Sequence, residues 1–190
     1  MPVQHSIIML PGTLNNASDS IKLEPIGDVD FEILISWIGN EEILMQFAGP
    51  AFSFPLTLDQ LQKNSAEINR HCYKVVDECA NRMIGYAEIY LSATGTARLC
   101  RIIIGDKNQR GYGIGQKLVK HLLNTAFNEL NVSKVDLNVF DWNTAAIKCY
   151  EKCGFEINPH KSVTRQVNGQ TWKGLNMEIN KTDWYSRLNK

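Results

Sequence analysis

Residues 97–123 read ARLCRIIIGDKNQRGYGIGQKLVKHLL, and they join a strand, a glycine-rich loop and the start of a long helix. The strand ends in three consecutive isoleucines, Ile102, Ile103 and Ile104, which is typical of a buried strand. The loop then places glycines at every second position. Beyond it, apolar residues recur every three or four positions as far as Leu130, which predicts an amphipathic helix with one stripe packed on a sheet.

The segments on either side of this stretch set the fold class. A strand with alternating apolar residues follows the helix at 134–139. The connection from strand 97–104 through the helix is therefore a βαβ unit, so these two strands are predicted to be parallel. Upstream, short loops connect strands 72–76 and 83–91 to strand 97–104, which predicts an antiparallel meander. The chain is thus predicted to be a mixed α/β (α+β) protein with a mostly antiparallel central sheet, one parallel pair and flanking helices.

Further elements are predicted toward both ends of the chain. A short strand at 21–25 precedes the first helix, for which Asp28 is the expected cap, and Thr57 is the expected cap of the third. Asn143 caps a later helix and Gly154 ends it. Helices are predicted at 28–38, 41–47, 58–69 and 144–153, and a final hairpin, turning at Asn168–Gly169, at 155–167 and 171–179. We interpret 1–20 as a flexible arm, 21–184 as a single domain and 185–190 as a C-terminal tail.

The bulk composition narrows the function classes. The chain has 190 residues, which fits one domain, and its 20 basic and 20 acidic residues give a formal net charge of zero. It therefore has no bulk electrostatic attraction to nucleic acid or to an anionic membrane. No apolar run approaches the roughly 18 residues of a membrane span. The five cysteines form no C-x-x-C pair and the four histidines are scattered, so we expect a cytoplasmic protein without disulfides or a metal site.

The glycine loop has the chemistry of an anion site. Gly111, Gly113 and Gly115 let the backbone approach a ligand closely, and N–H groups of the next helical turn point to the same place. A P-loop needs G-x-x-x-x-G-K-[ST], which is absent. The dinucleotide fingerprint G-x-G-x-x-G fails as well, because its third glycine is Leu118 when counted from Gly113, and Gln116 when counted from Gly111. The loop therefore suits a pyrophosphate bound in some other way.

Two sequence blocks carry a resemblance to a known family. The spacing left in the loop is R-x-x-G-x-G, with Arg110, Gly113 and Gly115. Residues 143–155, NTAAIKCYEKCGF, form a second block, N-x-x-A-x-x-x-Y-x-x-x-G-F. Both blocks, in this order of strands and helices, resemble the GCN5-related N-acetyltransferase (GNAT) family. The ending over 169–184 is similar to that of the Rim-type subgroup, which acetylates the N-termini of ribosomal proteins.

The resemblance implies an acetyl-CoA-dependent N-acetyltransferase without a metal. A primary amine (on a protein N-terminus, an amino acid, a polyamine or another small amine) would attack the thioester directly. The loop would hold the CoA pyrophosphate, with a charge-assisted contact from Arg110. Backbone groups of the isoleucine strand would bind the pantetheine arm where the two parallel strands splay apart. The implied cofactor-binding residues are Ile102, Ile103, Ile104, Arg110, Gly111, Tyr112, Gly113, Ile114, Gly115 and Asn143.

Two residues are candidates for the catalytic proton transfers. The resemblance implies Tyr150 as the general acid for the departing thiolate. The alternative is a core aromatic residue on the helix stripe with Ala146 and Gly154. Some Rim-type relatives place a glutamate, as base, where this chain has Asn138. Glu88 is the best substitute, either as the base or as an ordinary outward-facing strand residue. A water chain, or an acceptor amine of low pKa, would make a strong base unnecessary.

One competing function belongs to a different class. A fold relative could bind CoA for sensing or scaffolding without turnover, which Asn138 favours and Tyr150 disfavours. The glycine spacing disfavours a nucleotide-binding protein. We expect acetyl-CoA and an amine as partners, no nucleic acid and no membrane, with a homodimer as a common assembly for such enzymes. Candidate walls of the acceptor pocket, with core packing as the alternative, are Trp37, Phe47, Phe52, Phe54 and Trp142.

Overall fold

The computed structural model describes residues 20–105 and 111–188. Within them, strands form one seven-stranded sheet in the order β1-β2-β3-β4-β5-β7-β6. Residue 20 is the only part of the predicted N-terminal arm that falls inside these ranges. The strands are β1 (Ile21–Pro25), β2 (Arg70–Asp77), β3 (Arg82–Leu91), β4 (Thr96–Ile104), β5 (Lys134–Phe140), β6 (Glu156–Val167) and β7 (Gln170–Asn180).

Helices cover both faces of this sheet. The α-helices are α1 (Asp28–Ser36), α2 (Glu41–Ala48), α3 (Leu58–Ser65), α4 (Ile114–Asn124), α5 (Thr144–Cys153) and α6 (Lys181–Leu188). A single 3₁₀ turn, Gly49–Ala51, follows α2, and a π-helical turn, Thr125–Glu129, extends α4.

The sheet has the predicted mixture of strand directions. Strands β4 and β5 are parallel, and every other neighbouring pair is antiparallel. The pairing of β4 with β5 ends at Leu99 and Leu137, although β4 continues to Ile104 and β5 to Phe140. The predicted meander, the parallel pair and the splaying of that pair are therefore confirmed.

Two apolar clusters lie on opposite faces of the sheet. On the α4 face, the helix stripe of α4 packs with Leu99, Val135 and Leu137. On the α1–α3 face, side chains of the three N-terminal helices pack with Tyr86 and Ile103. Each fully buried leucine contributes about 1.5–3 kcal/mol. The fully or almost fully buried stripe of α4 consists of Ile114, Leu118, Val119, Leu122 and Leu123.

A β-bulge interrupts β4 next to the place where it leaves β5. Tyr86 lies opposite Ile103, but Glu88 lies opposite Cys100, so two steps along β3 match three along β4. Arg101 lies in this interval with a φ of 50°, in the left-handed region that L-residues seldom adopt. The extra residue re-aims the side chain of Arg101 toward the α1–α3 face, where it contacts Glu88.

Two predictions for the N-terminal helices are wrong in detail. The cap of α1 is Gly27 rather than Asp28, and the carboxylate of Asp30 accepts from the Gly27 N–H at 2.9 Å. Thr57 caps α3 as expected, but this helix ends at Ser65 instead of residue 69. The chain turns there, and Arg70 already begins β2.

The C-terminal half follows the predictions more closely. The Asn143 side chain caps α5, Gly154 ends it with a φ of 101°, and the hairpin turns at Asn168–Gly169 with both φ values positive. The long helix changes to a π-helical turn after Asn124, which periodicity did not predict. Helix α6 was also missed. Its Trp184 is 4% exposed, so ordered structure continues through the predicted domain end at residue 184.

Candidate active site

A deep cleft opens where β4 and β5 part. Its volume is about 1460 Å³, which exceeds the roughly 300–1,000 Å³ typical of a site for one small ligand. Ile102, Ile103 and Ile104 line it from β4, while Asn138 and Phe140 line it from β5. The cleft is therefore large enough for two substrates that meet between the strands.

The glycine loop forms one end of the cleft. Gly111 and Gly113 have φ values of 87° and 80°, a conformation in which glycine avoids the strain of a Cβ atom. Gly113 is also the N-cap of α4. With Gly115 in the first helical turn, both glycines line the cleft. The first turn of α4 therefore faces the cleft, and its N–H groups and the positive end of the helix dipole favour an anion there.

The other predicted loop residues differ in their environment. Tyr112 is 60% exposed, whereas Ile114 is 1% exposed and packs in the α4-face core. Neither side chain lines the cleft, so any contact with a ligand there would come from their backbones. Lys148 and Lys152 on α5 add positive charge to the cleft lining. Arg110 lies outside the described residues.

The three isoleucines divide between the two cores. Ile103 packs against the α1–α3 cluster, while Ile102 and Ile104 pack against the α4 cluster. All three also line the cleft. Their side chains therefore pack into the two apolar clusters on opposite faces of the sheet. A ligand that lies between β4 and β5 would contact the backbone of the strand.

Helix α5 brings two of the predicted site residues to the cleft. Asn143 accepts a hydrogen bond from the Ala146 N–H at 3.3 Å and lines the cleft. Tyr150 lines it too, with its ring centroid 6.0 Å from that of Phe155. Burial raises the pKa of the Tyr150 hydroxyl above its usual value, so the group keeps its proton at neutral pH. Tyr150 therefore packs against the apolar core and also lines the cleft.

Glu88 is not the outward-facing strand residue that we considered. It is fully buried, and its Oε1 accepts from Asn64 at 2.9 Å and from the Tyr86 hydroxyl at 2.7 Å. Its Oε2 accepts from Arg70 at 2.6 Å and also from Arg101. Glu88 does not line the cleft. Its assignment as a general base stays a prediction, and this enclosed position disfavours it.

Sequence reasoning missed the arginines that lie on the α1–α3 face. Arg98 forms a bidentate pair with Asp136, at 2.8 and 2.6 Å. Burial acts to raise the pKa of Asp136, but the hydrogen bonds and charge of Arg98 outweigh it and lower that pKa. Asn176 donates to Asp136 at 3.1 Å and to Asn138 at 3.0 Å. Asn138 therefore belongs to a hydrogen-bonded network on this side of the cleft.

The aromatic candidates separate into different environments. Trp37 and Phe47 line the cleft. Phe52 packs beneath the guanidinium of Arg101, with 4.6 Å between the Cζ atom and the ring centroid. Trp142 stacks on Phe140 at 5.8 Å. Phe54 is 46% exposed.

The described residues contain neither a cluster of metal ligands nor a membrane-spanning helix. No group of three or more His, Cys, Asp or Glu side chains at 20–105 or 111–188 could hold a metal ion. In the same part of the chain, no helix has the length and apolar character needed to cross a membrane.

A family model matches most of the chain that forms this fold. The model of the acetyltransferase (GNAT) family matches residues 38–155, which is well over half of the chain. The chain therefore belongs to the GNAT family, and the predicted family is confirmed. It is an acetyl-CoA-dependent N-acetyltransferase.

Individual relatives support the same class. The chain is 28% identical over 173 residues to an aminoglycoside N(6')-acetyltransferase type 1 of Klebsiella pneumoniae, with 82% of this chain and 86% of that one covered. It is 28% identical over 164 residues to a spermidine N(1)-acetyltransferase of Vibrio cholerae serotype O1, with 85% and 92% covered. Neither is described as Rim-type, and that subgroup is not confirmed.

Solved structures share the fold. A spermidine N-acetyltransferase from Vibrio cholerae in complex with CoA and spermine superposes with a TM-score of 0.75 at 22% identity, covering 90% of this chain and 99% of that one. Another structure of a Vibrio cholerae spermidine N-acetyltransferase is described as dodecameric, and its TM-score is 0.72 at 23% identity.

Proposed function

We propose that the enzyme transfers the acetyl group of acetyl-CoA to a primary amine by direct attack, with Tyr150 as the general acid. The observation that carries this proposal is the meeting of three features in one cleft. These are the glycine loop at the start of α4, the separated ends of strands β4 and β5, and the side of α5 that carries Tyr150. An anion site, a slot for an extended arm and a proton donor are what acyl transfer from CoA requires.

The proposed placement of the cofactor follows the cleft from end to end. The pyrophosphate would lie against the backbone of Gly111 and Gly113. No atom of the described residues lies within 4 Å of the place where a Cβ atom would be at either glycine, and the helix dipole there favours an anion. The pantetheine arm would lie along Ile102–Ile104. Asn143 would contact the arm from the start of α5. Arg110 would add its charge to the phosphate end.

The chemistry needs one proton to leave the amine and one to reach sulfur. The nitrogen of the neutral amine forms a bond to the carbonyl carbon, and the C–S bond of the thioester breaks. A backbone N–H of the isoleucine strand stabilises the negative charge on the carbonyl oxygen. Tyr150 gives its proton to the thiolate and regains one, through solvent, from the attacking nitrogen.

The environment of Tyr150 supports the role of acid. Its raised pKa keeps the hydroxyl protonated, and the same burial would raise the pKa of a thiolate beside it, so the proton transfer is not made strongly unfavourable. No described residue makes a hydrogen bond with this hydroxyl. It is therefore available to a ligand atom in the cleft.

Removal of the amine proton is proposed to go through water. Glu88 is enclosed by four donors and does not line the cleft. Asn138 lines the cleft but cannot accept a proton as a base. An amine that is partly neutral at the working pH attacks without a strong base.

The acceptor is proposed to be a primary amine on a small molecule or a peptide. The names of the relatives, aminoglycoside and spermidine acetyltransferases, support a small amine. The resemblance of 169–184 to the ending of the Rim-type subgroup supports a peptide N-terminus. We also propose that the enzyme works in the cytoplasm as a homo-oligomer, with the dimer as the smallest unit.

The test combines binding and turnover. Calorimetry measures whether acetyl-CoA binds, and release of free thiol is followed with amino acids, peptides, polyamines and aminoglycosides as acceptors. We expect thiol release with an equal amount of N-acetylated product, identified by mass. Tight binding of acetyl-CoA without thiol release for every acceptor class would instead favour a CoA sensor.

A further inference from the structure

The charged residues that line the described part of the cleft are all basic. Among its described lining residues there is no aspartate or glutamate, and the charged ones are Arg70, Arg98, Arg101, Lys148, Lys152 and Arg165. The two lysines lie on α5 and accompany the glycine loop, so the phosphates of the cofactor account for them. Arg165 lies on β6, where its Nη1 donates to the Thr164 carbonyl oxygen at 3.1 Å. The other three, Arg70, Arg98 and Arg101, lie on β2 and β4, on the side of the sheet opposite to α4. They need a different explanation.

Two of these three arginines already have carboxylates of their own. Arg98 pairs with Asp136 through two hydrogen bonds. Arg70 donates to Glu67 from Nε and Nη2, at 3.1 and 2.7 Å, and to Glu88 from Nη1. All three nitrogens of the Arg70 guanidinium therefore donate to a carboxylate.

Arg101 is left incompletely paired. Its side chain is 8% exposed, and its Nη1 shares Oε2 of Glu88 with Arg70. Its Nε is buried and has no hydrogen-bond partner among the described residues. A buried polar atom without a partner costs about 1–3 kcal/mol, so an orphan of this kind calls for an explanation.

The position of Arg101 suggests what completes it. The bulge of β4 presents this residue to the cleft, and Phe52 supports the guanidinium from one side. The next residue is Ile102, at the end of the proposed path of the pantetheine arm that lies farthest from the glycine loop. The thioester would lie at that end. A group bound by Arg101 would therefore sit beside the reacting thioester, on the face of the sheet opposite to α4.

We propose that the acceptor carries a carboxylate as well as its primary amine, and that Arg101 binds this carboxylate. The inference rests on the proposed function and narrows its acceptor to amino-acid-like amines. The Nε edge of a guanidinium suits the two oxygens of a carboxylate. Polyamines such as spermidine carry no carboxylate, so they offer no group that would pair with Arg101. The carboxylate belongs either to a free amino acid or to a short peptide.

The experiment compares matched acceptors on the full-length enzyme with acetyl-CoA. Glycine, β-alanine and γ-aminobutyrate are each paired with their own carboxamide, and spermidine and short acidic peptides are added. We expect kcat/KM to be about 10- to 100-fold higher for at least one acid than for its amide, the factor of a charge-assisted hydrogen bond. The peptide arm distinguishes the two sources of the carboxylate.

Variants identify the residue responsible. Arg101→Gln should reduce the acid-to-amide ratio to about one, while Arg101→Lys, which keeps the charge but loses the fork, should retain an intermediate ratio. Arg70→Gln is the matched control, because it removes a donor from the same oxygen of Glu88 but should leave the ratio unchanged. The ratio compares two acceptors on the same protein, so a variant that is less stable still gives a valid acid-to-amide ratio.

The outcomes separate this inference from the proposed function. Equal turnover of acids and amides, or a preference for spermidine, overturns the role of Arg101 and leaves the acetyltransferase function intact. If no acceptor releases thiol, calorimetry with the CoA-loaded protein still measures the acid-to-amide preference in binding. A preference that depends on Arg101 would then sustain the inference while the proposed function fails, and its absence would overturn the inference.

Discussion

The two faces of the central sheet reach the same cleft with opposite chemistry. The α4 face is a continuous apolar core, in which Leu118, Leu122 and Leu137 are almost completely buried. The α1–α3 face contains a fully buried carboxylate, Glu88, held by four donors. One face is therefore held by burial of apolar surface, the other in part by charges that must be paired.

This difference separates the two halves of the site. The α4 face carries the glycine loop and Tyr150, which are proposed to handle the cofactor. The α1–α3 face carries Arg101, which is proposed to read the acceptor. A cofactor shared by a whole family can be held by short motifs, whereas a selective acceptor site needs side chains from distant parts of the chain.

The largest effect is expected from the charged face. Glu88→Gln leaves Arg70 and Arg101 around a neutral amide, and breaking a buried ion pair in this way costs about 3–5 kcal/mol. Urea unfolding should show a lower midpoint with an unchanged m-value. The matched control is Glu178→Gln, which removes the charge of the partly exposed partner of Lys134 and should cost below about 1 kcal/mol. Equal losses would mean that the buried cluster is not a stabilising unit.

The second-largest effect is expected for Tyr150, which lies on the apolar face of the sheet. Tyr150→Phe should lower kcat about 100-fold, the lower end for a lost general acid, with little change in the calorimetric affinity for acetyl-CoA. Because burial raises the pKa of Tyr150, ionisation of this residue should not lower the wild-type rate below about pH 10. Tyr73→Phe, outside the cleft, is the control. A rate that Tyr150→Phe leaves unchanged would contradict the assignment.

A smaller effect is expected at the glycine loop. Gly113→Ala and Gly95→Ala both add a Cβ atom in open space at a positive φ, so each should destabilise the fold by about 1–2 kcal/mol. Only Gly113 lies in the cleft, and its new methyl group should weaken acetyl-CoA binding about 10-fold, or 1.4 kcal/mol. Matching losses of affinity in the two variants would remove the pyrophosphate from this loop.

The α4 face was largely predictable because its signals are local. The helix stripe from Ile114, the cap Asn143 and the terminating Gly154 each depend on neighbours within one or two turns. The parallel pair followed from the βαβ connection between the two strands. The family resemblance then placed Tyr150 at a cleft that the structure does form at that position.

The α1–α3 face was not predictable in the same way. The cluster around Glu88 joins residues from α3, β2 and β4, and no local pattern brings Asn64, Arg70 and Arg101 together. Arg98 and Arg101 lie three apart in β4 and share a face only because of the bulge, which no sequence feature marked. The π-helical turn and α6 were missed because their stability comes from tertiary packing, as with Trp184 against Phe127.

The parting of β4 from β5 also bears on how the protein responds to heat. Beyond Leu99 and Leu137 the two strands no longer pair, so the sheet contains an internal edge. A cofactor arm lying there would act as a substitute strand, and the folded state alone would bind it. By thermodynamic linkage, acetyl-CoA at 100 times its Kd would then raise the free energy of unfolding by about 2.7 kcal/mol. The cosubstrate would be consumed in each turnover and would also serve, while bound, as a removable part of the sheet.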